Sequence, residues 1–499
     1  MATSFRRTVA IPAPRFVAFV VLVCDNPHRL LASPPMQRTV LIPLIVACAL
    51  FMENMDSTVI ATSLPAIARD IGENPLALKL ALTSYLVSLA VFIPISGWVA
   101  DRFGSRSVFA SAIVVFMAGS LLCAVSTSLA AFVVSRFVQG LGGAMMVPVG
   151  RLVLMRSIPK RDYVAALNYL TIPALLGPVT GPALGGAITL YLHWRYIFIV
   201  NLPIGFLGLY LVLRHIPDIR EERVPAFDVR GFALSAVGLS VLMLGFSALG
   251  GHLLPIDVAL ACIVAGGITL VAYVMHARRS EHPVIDLRLL RIPTFWNGVA
   301  AGAVFRAGLG ATPFLLPLLF QLGFGLDPLQ SGLLTCATAI GAMFMKTFTV
   351  YILRRLGFRR VLVANGIAAS AIVAGFGLFT ANTPHALIVA VLLASGCLRS
   401  LQFTALNAIT FADIAPSSMS QAASISSMMQ RLSQSVGIAA GAYWLQLSSV
   451  AQGHAHIVAS DFWPAFLGIA LVSGIAPIIH RRLPAEAGVE VSGHRARSA

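Results

Sequence analysis

The sequence predicts an all-α integral membrane protein. It is 58% hydrophobic and 11% charged, where soluble proteins carry about 25% charged residues. Its mean hydropathy is +0.87. The apolar residues gather into segments near the ~20 residues that cross a bilayer as a helix. The formal net charge of +16 raises nucleic acid as a partner, but the positions of the charges point elsewhere. Arg and Lys fall in short loops on alternate sides of the apolar segments, as in membrane proteins whose basic loops stay in the cytoplasm. The six cysteines are widely spaced and mostly lie within apolar segments, with no disulfide or zinc pattern.

Residues 1–38 are rich in Pro and Arg, and the apolar run 16–24 is too short to span. They read either as a disordered extension or as a mis-called start, with translation beginning at Met36. Fourteen apolar segments follow, at 39–63, 78–100, 107–126, 130–154, 164–190, 195–214, 229–250, 255–276, 294–321, 330–352, 360–380, 385–410, 420–446 and 462–480. Basic clusters such as Arg102/Arg106, Arg156/Lys160/Arg161, Arg278/Arg279 and Arg354/Arg355 follow alternate segments. The loops 251–254, 322–329 and 447–461 have neither Arg nor Lys, so both termini are expected in the cytoplasm. The long connections 215–228 and 277–293 divide the chain into a six-helix bundle (39–215), linkers with an inserted helix pair (216–291), a second six-helix bundle (292–482) and a tail (483–499).

An internal repeat supports two halves. Arg102-x-Gly104-x-Arg106 after the second segment is echoed by Arg355-x-Gly357-x-Arg359 after the tenth. Arg136-x-x-Gln139 in segment four is echoed by Arg399-x-x-Gln402 in segment twelve. Duplicated bundles are a common transporter design, with substrate held between the halves.

Gly177, Gly181 and Gly185 recur every fourth residue along one face of segment five, where another backbone can approach. Pro178 and Pro182 interrupt its hydrogen-bond ladder. Such a helix either seals and bends a transport path or is a close-packed pair without a gating role.

Ionised groups at mid-bilayer cost about 2.5–3.5 kcal/mol each and need partners or a wet cavity. Glu53 and Asp56 in segment one, with Arg136 in segment four, read as a proton-carrying set, the alternative being a fixed ion pair. Burial disfavours an ionised carboxyl and a nearby Arg restores it, so movement of Arg136 would tie protonation to conformation. Arg306, Lys346, Arg399 and Arg431 in the second half read as cavity-lining, with backbone bonding or snorkelling as the other outcomes. Pro313, Pro317 and Gln321 predict a bent segment nine along that cavity. Trp98, Tyr191, Trp194 and Tyr196 read as interface anchors. His193, His252, His385 and the tail histidines read as solvated.

Gly97-x-x-x-Asp101-Arg102-x-Gly104-x-Arg106, Arg136-x-x-Gln139-Gly140, Gly177-x-x-x-Gly181-Pro182-x-x-Gly185-Gly186, Asp56-x-Thr58 and Trp194-Arg195-Tyr196 occur in that set. In this the chain resembles the major facilitator superfamily, and within it the fourteen-helix drug:proton antiporters of the EmrB/QacA type. The resemblance covers about 37–482. It implies proton-driven export of small amphiphiles across the inner membrane by alternating access. Asp56, Glu53 and Arg136 would couple the proton. Gln139, Arg306, Gln321, Lys346, Arg399, Gln402 and Arg431 would line the cavity. Gly97, Asp101, Arg102, Gly104, Arg106, Gly177, Gly181, Pro182, Gly185 and Gly186 would gate. Two departures stand out: Ser105 replaces a common basic residue, and the second half is basic where cation exporters add acids.

The partners expected are substrate, protons and lipid, with either a periplasmic adaptor or a monomer, and no nucleic acid or cofactor. Rival readings are a metabolite importer or facilitator and a sensor that binds without transport. No phosphate-binding loop, His-Glu-x-x-His site or nucleophile elbow is present to indicate an enzyme.

Overall fold

The computed structural model describes residues 35–158, 163–221, 224, 226–248, 255–281, 283–415, 418–454, 456–484 and 487–492. The extension 1–34, with the expectations placed on it, lies outside the described residues, as do loop 251–254 and His252.

The first half contains α1 (Pro35–Ile71), α2 (Lys79–Phe92), α3 (Ser96–Phe103), α4 (Ser105–Val125), α5 (Leu129–Ser157), α6 (Tyr163–Tyr191), α7 (Tyr196–Ile199) and α8 (Asn201–His215). A pair follows, α9 (Val229–Ala248) and α10 (Ile256–Ala277). The second half contains α11 (Pro293–Gly310), α12 (Thr312–Leu318), α13 (Pro328–Phe376), α14 (His385–Thr410), α15 (Met419–Ala451), α16 (Phe462–His480) and the single turn α17 (Val489–Ser492).

Twelve helical stretches among the described residues are long and apolar enough to cross a bilayer. One of them, α13, is two helices joined at Gly357, whose φ of 74° is not helical. A further helix, α15, has 33 residues but is richer in Ser and Gln. Dividing α13 at Gly357 and adding α15 gives fourteen candidate segments among the described residues.

The repeat has a backbone basis. Gly104 has φ 91° and Gly357 φ 74°, each between the two arginines of its Arg-x-Gly-x-Arg sequence. Both mark a tight reversal between consecutive spans, a conformation that a residue with a Cβ rarely adopts.

Within the first half, α1 packs on α6 and α8, and α5 on α2 and α4. Within the second, α13 packs on α14 and α16, and α11 on α15 and α16. Two seams join the halves, α6 against α13 and α2 against α15. The inserted α9 lies on α2 and α15 together, so it covers one seam. Leu239 and Met243 of α9 share a buried cluster with Val87 and Val91 of α2 and with Ile425 and Met428 of α15.

Glycines set the approach at the other seam. A Cβ on Gly177 would meet the backbone of Phe51 and Met55, and one on Gly185 the Val59 carbonyl, so this face packs on α1. Gly181 faces Thr58 of α1. Gly186 faces the Pro328 carbonyl across the seam, and Gly332 of α13 faces the carbonyl of Pro182. Pro173, Pro178 and Pro182 remove three backbone donors from α6, yet one helix continues through them. The hydroxyl of Thr180 donates to the Leu176 carbonyl at 2.9 Å, and the thiol of Cys336 to the Val179 carbonyl at 3.1 Å. Segment nine, expected to bend, is broken into consecutive pieces. Its helix ends at Gly310, resumes as α12 and closes in a π-turn at Leu319–Gly323.

Close approach at Gly186 yields a comparison. Gly186→Ala should lose about 1–3 kcal/mol through overpacking against backbone. Gly97→Ala, where an added Cβ meets nothing within 4 Å, should stay within about 0.5 kcal/mol. Thermal unfolding of both variants in detergent checks this; equal losses would mean that α6 and α13 do not touch there.

Candidate functional site: a buried ion pair and its polar shell

Asp56 lies on α1 and is 3% exposed; Arg136 lies on α5 and is fully buried. Arg136 Nη1 donates to Asp56 Oδ2 at 2.7 Å. The other oxygen, Oδ1, accepts from Gln139 Nε2 and from Asn201 Nδ2, each at 2.9 Å. Both amides also donate to Ser120 Oγ, at 2.6 and 3.1 Å. Gln139 Oε1 accepts from Arg136 Nη1. Four helices, α1, α4, α5 and α8, thus converge on one carboxylate. A buried charge is tolerated when it is paired and its remaining lone pairs are bonded. The Arg136 guanidinium lies 4.3 Å from the centre of the Tyr85 ring, a favourable cation–π placement. Its Nε and Nη2 have no hydrogen-bond partner among the described residues.

Glu53, one turn earlier on α1, faces another way. Its Oε1 accepts from Tyr85 Oη at 3.4 Å and from Arg431 Nη2 at 3.2 Å. Arg431 belongs to α15, so this ion pair crosses between the halves. Both distances exceed the 2.7–2.9 Å usual for charge-assisted bonds. Glu53 Oε2 is buried with no partner among the described residues. Tyr85 connects the two acids, with its ring under Arg136 and its hydroxyl on Glu53.

Several residues stand elsewhere than expected. Gln139 is fully buried in the Asp56 shell rather than on a cavity wall. Gln402 is also fully buried. It accepts from Asn365 Nδ2 at 2.8 Å and donates to the Leu362 carbonyl at 3.1 Å, tying α14 to α13. The sequence repeat therefore places the two glutamines alike but gives them different partners. Arg431, expected on the cavity wall or on backbone carbonyls, instead meets Glu53. Gln321 donates to the Thr62 carbonyl at 2.9 Å, linking the π-turn to α1. Arg306 reaches Asn407 Oδ1 at 3.3 Å and lies 5.3 Å from the Phe403 ring centre. Arg399 lines a cavity of about 100 Å³ between the halves, with Thr58, Thr62, Pro182, Thr312 and Pro317. Lys346 is exposed on α13.

The loop motif is held by a segment that sequence reasoning passed over. Arg156 Nη2 donates to Asp101 Oδ1 at 2.6 Å and to Glu221 Oε1 at 2.7 Å. The Glu221 amide donates to the Asp101 carbonyl at 3.2 Å, and the Ser105 amide to the Ile219 carbonyl at 3.2 Å. Ser105 Oγ reaches the same carbonyl at 3.4 Å, so the departure at this position is met by main-chain docking. Arg102 is exposed and Arg106 half-buried, and neither has a hydrogen bond or ion pair among the described residues. Gly97 makes no close approach. Trp194 is not an interface anchor: it is 2% exposed, packs on Phe132 and Phe198, and donates to Asp70. Tyr191 and Tyr196 are exposed, as expected of anchors.

Tyr85 and Ser120 were given no role from sequence, since a polar side chain in an apolar span is too common to single out without its partners; Asn201 stood out only as part of the motif that begins at Trp194.

The sequence profile described as Major Facilitator Superfamily matches residues 46–438. The chain belongs to this superfamily. MdtD of Escherichia coli (strain K12), a protein named for multidrug resistance, is 36% identical over 91% of this chain and 97% of its own length. The Shigella boydii serotype 18 protein of the same name matches equally. Among solved structures, a D-xylose–proton symporter aligns with TM-score 0.64 at 13% identity, covering 90% of this chain and 98% of its own. The human organic anion transporter MFSD10 aligns with TM-score 0.56 at 15% identity, covering 90% and 100%. These two matches establish the superfamily fold. The protein is accordingly a multi-pass membrane transporter and not an enzyme.

The ion pair predicts a coupled response. Arg136→Ala leaves Asp56 buried without its counter-charge and should cost about 3–5 kcal/mol. Adding Asp56→Asn should recover part of that loss. A thermal double-mutant cycle measures the coupling; simple additivity would mean that the two side chains act independently.

Proposed function

We propose that this chain is a proton-driven exporter of small amphiphilic molecules, of the fourteen-helix drug:proton antiporter group. The observation that carries the reading is the pair of linked acids on α1, one bonded within its bundle and one across the seam. The glycine face of α6, closed on α1 and α13, supports it, as does the multidrug-resistance name of the relatives. The arginine-rich end of the molecule faces the cytoplasm of a cell whose inner membrane holds the chain, and both termini lie on that side. Residues 39–215 and 292–482 act as the two moving bundles, with 216–291 supplying the inserted pair.

Glu53 has one unbonded carboxylate oxygen, so a proton arriving from outside adds there without breaking a hydrogen bond. Once neutral, Glu53 no longer holds the Arg431 charge, and α1 is freed from α15. The change reaches Asp56 through Tyr85 and Arg136. Protonation of Asp56 dissolves the ion pair that binds α1 to α5, and the bundle reorganises around the cavity. Each proton crossing the membrane supplies about 2.3 kcal/mol per 100 mV. That is sufficient to offset the loss of an imperfect bridge between halves. Asp101, Arg156 and Glu221 hold the loop between the second and third spans while the bundles move.

Proteoliposomes test the scheme. Asp56→Asn should abolish pH-driven efflux while the purified protein stays monodisperse. Glu53→Gln should cut coupled flux at least tenfold, since it fixes the protonated form. Normal drug-induced proton release from Asp56→Asn would overturn the coupling.

A further inference from the structure

The second half holds positive charge that no carboxylate neutralises among the described residues. Arg306, Lys346 and Arg399 lie in α11, α13 and α14, within spans. None forms an ion pair among the described residues, whereas Arg136 and Arg431 each meet a carboxylate. Arg399 is the one charged residue lining the 100 Å³ cavity between the halves. Two buried polar atoms nearby are also without partners: Arg306 Nε, and Oγ1 of Thr312, which lines the same cavity. Thr312 and Arg306 are each 6% exposed.

Helix periodicity joins these groups into a path. Arg306 lies on α11 less than two turns before Thr312. Phe403 and Asn407, which Arg306 touches, follow Arg399 at four-residue steps along one face of α14. Lys346 follows the cavity-lining Thr335 and Ala339 by eleven and seven residues, which keeps it on their face of α13. Arg399 thus lines the cavity itself, while Arg306 and Lys346 are displaced from it along their helices toward the end of the molecule that carries Arg354 and Arg355. Apolar walls come from Leu309, Leu316 and Pro317. A cation in this space would meet the like charge of Arg399; an anion would meet its guanidinium together with the hydroxyls of Thr312 and Thr335.

We infer that the cargo is an organic anion, a carboxylate, sulfonate or phosphate on an apolar body, read at its charged end by Arg399 with Thr312 and drawn inward by Lys346 and Arg306. The inference rests on the export reading and specifies the substrate class of that same cavity.

Two xanthene dyes of similar size and opposite charge test it: fluorescein, an anion, and rhodamine 123, a cation. Both are offered to proteoliposomes under an imposed pH gradient. The expected result is gradient-driven movement of fluorescein and not of rhodamine 123. Arg399→Gln should reduce fluorescein flux at least tenfold, Lys346→Gln should raise its KM with little change in maximal rate, and Arg399→Lys should restore part of the flux. Unchanged thermal midpoints separate these effects from misfolding. Transport of rhodamine 123 alone would overturn the anionic class while leaving proton-driven export in place. Fluorescein flux indifferent to Arg399→Gln would overturn the assignment of this residue. Movement of neither dye would count against the export reading and the substrate class together.

Discussion

A carboxylate and a guanidinium removed from water must satisfy each other, and the first half is arranged around that requirement. Asp56 and Arg136 meet at 2.7 Å, and Gln139, Asn201 and Ser120 complete the shell. Because the donors to Asp56 come from α5 and α8, and their amides also bond Ser120 of α4, one charge ties the register of four helices. Buried pairs add little net stability, since desolvation offsets their attraction. What this one contributes is a single arrangement that a change in charge undoes. Such a pair suits a switch better than a hydrophobic contact of the same area.

The seams follow a different logic. Helices in lipid gain little from burying apolar surface, so close backbone approach and a few polar bonds hold them together. At α6 and α13 the contact is made by Gly186 and Gly332 against carbonyl oxygens, with Cys336 adding a hydrogen bond. At α2 and α15 it is a larger apolar cluster, crossed by the ion pair of Glu53 and Arg431. Packing of these kinds can separate and re-form without exposing a continuous core. The relation is reciprocal, in that the fifth span of each half meets the second span of the other.

Much of this was legible in the sequence. Segment lengths gave the crossings, including the break at 353–359 that a continuous helical assignment hides in α13. Intramembrane Glu53, Asp56 and Arg136 stood out because charge in lipid is costly. The glycine spacing pointed to a close helix face. The partners were not legible. Nothing local links Arg431 to Glu53, 378 residues away, and only folding brings Asn201 to Asp56. Gln139 and Gln402 share a motif yet meet different neighbours, because a repeat preserves helix position while substitutions around it alter the contacts. Trp194 was misjudged since an aromatic near a span end fits lipid headgroups and a packed helix junction equally well. The modest apolarity of α15 also has a cause: this helix packs on α2, α9, α11 and α16, so few of its positions need to satisfy lipid.

The inserted pair leaves the molecule with two unequal flanks. On one, α9 lies over the join of α2 and α15, and its Ser247 hydroxyl bonds Thr83 of α2 at 3.2 Å. On the other, Leu184 of α6 and Leu333, Ile340 and Phe344 of α13 present bare hydrocarbon to the surroundings. The seam of α6 and α13 is closed by its own glycines and carries no inserted helix among the described residues, so the extra two spans give an otherwise pseudo-symmetric bundle a left and a right.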